Sequence, residues 1–212
     1  AFDALLAISS SILVAAVALG GGTSSGFLSD FILDLFSVFA LVFLAHRMIA
    51  GIGRAPSRSA YCLLLVVAAL LLVQLVPLPP WLWETLPGRT VVVDALGLIG
   101  HSSTWMPITV SPTATWIGVL SCLPAFVVFW GTSELDRRGR RRLSLIFIAL
   151  GVVSIFLGLL QVAQGPASAL RFFSFTNPND AVGFFANRNH FAALLYAVFL
   201  VAAVWAIQSS SR

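Results

Sequence analysis

Six stretches of this chain are apolar for close to the thickness of a bilayer, and this constrains the fold more than any motif does. They run roughly from Leu5 to Gly20, Phe27 to Ile49, Tyr61 to Val76, Trp116 to Ser133, Leu143 to Val162 and Phe191 to Ile207. A helix crosses the hydrocarbon with about 20 mostly apolar residues. Backbone groups in lipid must be satisfied within their own segment, so each stretch is expected to be α-helical. Only 9% of the residues are charged and 59% are hydrophobic, which leaves too few polar side chains to cover a water-soluble surface. The expected fold class is all-α: a polytopic integral membrane helical bundle of about six transmembrane helices, with residues 1–212 as a single transmembrane domain.

The arginines orient it. All twelve basic residues are Arg. Arg47, Arg54 and Arg58 follow the second segment, and "DRRGRRR" follows the fourth with Arg137, Arg138, Arg140, Arg141 and Arg142. The other connections are sparse: none in "GGTSSGFLSD", Arg89 between segments three and four, and Arg171 and Arg188 between five and six. The positive-inside rule puts the two basic loops in the cytoplasm, and an N-terminus inside then satisfies every loop at once. The net charge of +4 therefore reads as topology rather than as a nucleic-acid footprint, and no nucleic-acid partner is expected. Anionic lipid headgroups are a second use for "DRRGRRR".

The connection from 77 to 115 lies on the outer side and is no plain linker. Pro77, Pro79 and Pro80 stop the third helix. Trp81, Trp83, Trp105 and Trp116 suit the headgroup belt, and "TVVVDALGLIG" suits a short helix lying on the membrane. This fits either an anchoring loop or a lateral platform for a lipid-linked substrate.

The chain carries no HExxH, Walker-type loop, GxGxxG or GxSxG, and no acidic or cysteine cluster for a metal, so neither a cofactor nor a metal is expected. Asp30 and Asp34 share a face at the outer start of the second segment, either as intramembrane functional acids or at the wet interface. His46 and Arg47 are expected to snorkel to headgroups, and Gln74 to bond across helices. His101 has no evident partner. Cys62 and Cys122 are expected as free thiols.

The stretch "FFSFTNPNDAVGFFANRNHFAALL" is different. Asn177-Pro178-Asn179-Asp180 is turn chemistry. Asn187 or Asn189 suits the N-cap of the sixth helix, whose unpaired N–H groups and dipole favour an anion at the outer face. Arg188 adds a planar fork that matches phosphate, and His190 adds an imidazole that can hold or pass a proton. Arg171 lies upstream in the same connection. These five residues are read either as a phosphate or pyrophosphate site or as a capped helix with interface anchors.

"GFFANRNHFAALL" resembles the signature of the O-antigen ligase and polymerase-like membrane proteins of bacterial envelopes. "LVQLVPLPPWLWETLPGR", "ITVSPTATW" and the basic loop before the segment ending "GLLQVAQG" are similar to the first half of such proteins. The resemblance implies a multi-pass inner-membrane glycosyltransferase acting at the periplasmic face without a nucleotide sugar. Its donor would be a glycan on undecaprenyl pyrophosphate and its acceptor a glycan or lipid, with membrane lipids as surroundings. It also implies that the chain is the N-terminal part of a longer protein, inactive alone, whose main histidine lies beyond Arg212. No catalytic residue is assigned. Arg188, His190, Asn187, Asn189 and Arg171 are the substrate-binding candidates, with Arg188 foremost. The readings from other classes are a transporter or flippase, which would want polar positions near the bilayer midplane, and a non-catalytic membrane subunit.

Overall fold

The computed structural model describes residues 4–22, 28–53, 57–101 and 104–210; Phe27 and Arg54, named above, lie outside them. In chain order the elements are α1 (Ala4–Leu19), α2 (Leu28–Ile49), α3 (Arg58–Val73), β1 (Pro77–Leu78), α4 (Pro80–Trp83), α5 (Thr90–Leu98), β2 (Met106–Pro107), α6 (Pro112–Ser121), α7 (Leu123–Glu134), α8 (Arg137–Gln164) and α9 (Arg188–Ser210). The fold is all-α apart from one two-residue ladder, and all six expected segments are helical.

Among the described residues, four helical runs are long and apolar enough to cross a membrane: Leu28–Ile49, Pro112–Glu134, Arg137–Gln164 and Arg188–Gln208. The other two segments are shorter. α1 and α3 have 16 residues each, about 24 Å of helix against a hydrocarbon core of about 30 Å. The fourth segment, expected as one helix, is interrupted at Cys122. Pro124 explains the break: its ring has no N–H to donate and crowds the carbonyl four residues back.

Local chemistry sets the helix ends. Ser57 caps α3, its hydroxyl accepting from Ala60 N. Asp136 caps α8, its Oδ1 accepting from Gly139 N at 2.7 Å. Gly165 ends α8 with φ +81°, a left-handed conformation that glycine adopts without a Cβ penalty.

The chain divides into two compact units, residues 1–56 with 123–212, and residues 57–122. In the first unit α1 packs on α2, α7 and α8, and α8 on α9. Its core joins Leu5, Leu6 and Ile12 of α1 to Ala40 and Leu44 of α2, Val127 of α7 and Leu143 of α8. Small residues let the helices approach closely. A Cβ on Gly131 would strike the Ser9 hydroxyl, and one on Gly151 would strike the Val198 side chain. Large apolar side chains such as Phe39, Phe156, Phe199 and Leu200 point outward. An apolar exterior of this kind matches lipid rather than water.

Arg47 turns inward rather than toward headgroups. Its Nε donates to Glu134 Oε2 at 3.2 Å, and Trp130 Nε1 donates to Glu134 Oε1 at 2.9 Å. The Glu134 side chain is only 1% exposed, and breaking such a buried pair from one side typically costs about 3–5 kcal/mol. This contact holds the last turn of α2 beside the end of α7, next to the turn that leads into "DRRGRRR". At the opposite end of the unit, Ala186 N donates to Gly21 O at 2.8 Å, which joins the α1–α2 and α8–α9 connections. Each end thus gathers the loops that the arginine distribution assigns to one side of a membrane.

With Cys62 and Cys122 replaced by serine, a cysteine at Arg138 is expected to resist a membrane-impermeant thiol reagent added outside, and one at Thr104 to react. The reverse labelling pattern would overturn the orientation.

In the second unit β1 and β2 pair antiparallel, Pro77 opposite Pro107 and Leu78 opposite Met106. Trp83, expected in the headgroup belt, is buried instead, its Nε1 donating to Thr104 O at 2.9 Å. Arg89 is buried beside it, stacked over the Trp83 ring and donating from Nη2 to the carbonyls of Pro107 and Ile108. Trp81, Trp105 and Trp116 remain exposed, as belt residues are. α5 follows the expected short helix and buries none of its residues; Val91 and Leu98 project freely. Gln74 bonds back onto its own helix at Leu70 O rather than across to another. Both cysteines are free.

Candidate functional site at the mouth of α9

The connection between α8 and α9 is built on a polar face of α8. Ser154, Gly158 and Gln161 recur at helical spacing and are all buried. Gln161 is fully enclosed and uses both ends of its amide. Its Oε1 accepts from Val182 N at 3.1 Å and Gly183 N at 2.9 Å. Its Nε2 donates to Leu170 O and Gly183 O, each at 2.8 Å. The Ser154 hydroxyl accepts from Phe184 N. Gly183 sits at φ +58°, and a Cβ there would collide with the Ser154 hydroxyl. The position therefore excludes other residues on both conformation and space.

Arg171 is the second organiser. Its Nη1 donates to Asn177 O at 2.8 Å and Asp180 O at 3.0 Å, and its Nε and Nη2 reach Gly165 O and Gln161 O at 3.4 Å. A guanidinium spread over four backbone carbonyls orders a loop that has no strand or helix of its own. Arg171 thus shapes the site from behind, and each of its three guanidinium nitrogens already has a backbone partner.

The helix mouth is capped. Asn187, not Asn189, is the N-cap: its Oδ1 accepts from Asn189 N at 2.8 Å, and its carbonyl accepts from His190 N and Phe191 N. Asn177 reaches across the turn, its Oδ1 accepting from Arg188 N at 3.0 Å. The first four N–H groups of α9 are therefore all taken. The expectation of unpaired N–H groups waiting for an anion does not hold; the side chains of Asn177 and Asn187 satisfy two of them and the Asn187 carbonyl the other two. What remains for an anion is the dipole and the side chains.

Three side chains project from this mouth. Arg188, Asn189 and His190 are all exposed. Arg188 Nη1 donates to Asp180 Oδ2 at 3.0 Å, with the two side chains 61% and 39% exposed. His190 sets its ring edge-on to Phe185, centroids 6.4 Å apart. The structure therefore brings Arg188, Asn189 and His190 together at the surface and uses Asn187 and Arg171 to hold the backbone beneath them.

Gln161, Ser154 and the Asp180 partner of Arg188 were missed in the sequence. A signal existed for the first two: between Leu143 and Val162 the polar side chains are Ser144, Ser154 and Gln161, and the last two are seven residues apart, on one helical face. Among the described residues no group of His, Cys, Asp and Glu could hold a metal ion.

Fold and exposed residues together define a helical bundle with membrane-crossing helices and a polar mouth on one of them. No protein-family model matches the chain, and no curated protein or solved structure does either.

Proposed function

We propose that the intact protein is an inner-membrane glycosyltransferase of the O-antigen ligase or polysaccharide polymerase type, and that the mouth of α9 contacts the pyrophosphate of its undecaprenyl-linked donor. The family resemblance of "GFFANRNHFAALL" supports the reaction class. The observation that carries the site is the presentation of Arg188 beside Asn189 and His190 on a backbone that Gln161 and Arg171 hold rigid.

The chemistry asked of the site is modest. The acceptor hydroxyl oxygen attacks the anomeric carbon of the donor. The bond from that carbon to the pyrophosphate oxygen breaks, its electron pair leaves with the pyrophosphate, and the hydroxyl proton passes to a base. Negative charge grows on the leaving group, so a fixed cation there acts more strongly on the transition state than on the ground state. Arg188 has that role here. Asp180 holds one edge of its guanidinium before the donor arrives and yields it to the more highly charged pyrophosphate. The base is left unassigned.

Deletion of the gene in its own host tests the reading directly. Long surface glycan chains are expected to disappear while lipid-linked donor accumulates. An unchanged glycan profile in a host with no second copy would remove the proposal and favour the transporter or the non-catalytic subunit.

A further inference from the structure

At the opposite end of the first unit a second feature is independent of this reading. A cleft of about 590 Å³ lies between the first two turns of α8 and the last turns of α9. Arg137, Arg140 and Arg141 line one wall, at helical spacing on one face of α8. Leu200, Val201 and Val204 line the other, on one face of α9. Arg141 stacks over the Trp205 ring at 4.6 Å from its centroid. The helices meet closely at Gly151 and Val198, and the cleft opens beyond that contact, toward the arginines.

The two walls differ in chemistry. Five of the first six residues of α8 are Arg, and its first turn has no acid. Their mutual repulsion adds to the positive end of the helix dipole, and the capping Asp136 is committed to Gly139 N. At Leu143 the helix turns apolar, which marks the boundary of headgroups and hydrocarbon. A ligand for this cleft therefore needs an anionic head, an apolar tail and a place at that boundary. Charge complementarity and depth both select a membrane lipid.

We propose that this cleft binds one acidic glycerophospholipid, its phosphate held by Arg137, Arg140 and Arg141 and an acyl chain lying along Leu200, Val201 and Val204. Binding staples the basic N-terminal end of α8 to the C-terminal end of α9, where the apolar contact between them has ended. Arg138 and Arg142 do not line the cleft, so they are the control for bulk charge.

Native mass spectrometry of the intact protein, purified in detergent and supplied with phosphatidylglycerol or phosphatidylcholine, tests this. The wild type is expected to retain one phosphatidylglycerol and no phosphatidylcholine, and to keep it in millimolar inorganic phosphate. R140Q/R141Q is expected to weaken retention about thirtyfold, the loss of two arginine–headgroup contacts. R138Q/R142Q removes the same charge and is expected to stay near wild type. Equal retention of phosphatidylcholine would overturn the proposal, as would equal weakening in both double variants. Displacement by inorganic phosphate would overturn it in favour of a simple anion site. If R140Q/R141Q does not accumulate, the wild-type comparison of the two lipids and of phosphate decides alone.

Discussion

Arg188→Ala in the intact protein is expected to lower glycan transfer about a hundredfold or more, the usual scale for removing one preorganised group that stabilises a developing charge. Loss of folding would not account for such a fall. The Arg188–Asp180 pair is exposed on both sides, and exposed pairs contribute about 0–1 kcal/mol. Accumulation and thermal unfolding should therefore remain normal. Arg188→Lys should restore transfer only in part, because an ammonium lacks the planar fork that matches two phosphate oxygens. Asp180→Asn separates the roles further: it frees the guanidinium, so donor binding should tighten while the Arg188→Ala defect persists. The readout is in vitro transfer from lipid-linked donor, with protein level checked in the same membranes. Full transfer by Arg188→Ala would sink the assignment of this residue without touching the fold.

The largest stability effect is expected at Gln161. Gln161→Leu keeps the volume but removes every polar atom, leaving Val182 N, Gly183 N and Gly183 O enclosed without the partner they have now, and the half-buried Leu170 O without its own. Each buried group left unsatisfied costs about 1–3 kcal/mol, so the sum is on the order of 3–9 kcal/mol, comparable with the whole stability of a small domain. Thermal unfolding in detergent should shift strongly, and limited proteolysis should cut between residues 166 and 187. Gln164→Leu is the matched control. Its side chain is exposed and accepts one bond from Ser168, so its cost should stay near 1 kcal/mol. A Gln161→Leu protein that melts like wild type would show that the amide does not hold the connection.

The two effects belong to different levels of the structure. One removes a group that points away from the protein, and the other removes the support beneath it. Loss of transfer with normal stability at Arg188, beside loss of stability at Gln161, is the pattern expected of a site on a rigid base.

The helices were legible because their signal is local. Hydrophobic runs, the prolines after α3 and the capping asparagine at the mouth of α9 each act within a few residues of themselves. Which helices are long enough to cross was less legible: α1 and α3 read as spans, yet their 16 residues each leave them among the shorter apolar helices, and Pro124 divided a segment that composition alone joined. The grouping of loops at two ends was also readable, since the distribution of arginines reflects the side on which each loop stays.

The fate of each polar side chain was decided only by the tertiary structure. Arg171 and Arg188 are the same residue type in the same connection, yet one is spent on carbonyls and the other faces outward. Trp81 and Trp83 differ in the same way, one exposed and one buried with Arg89. Glu134 drew Arg47 inward from 87 positions away, and Gln161 took its partners 9 to 22 positions along the chain. Hydropathy and turn chemistry report a residue's own neighbourhood. The partner that satisfies a buried polar group is chosen by whichever distant backbone the packed helices bring beside it.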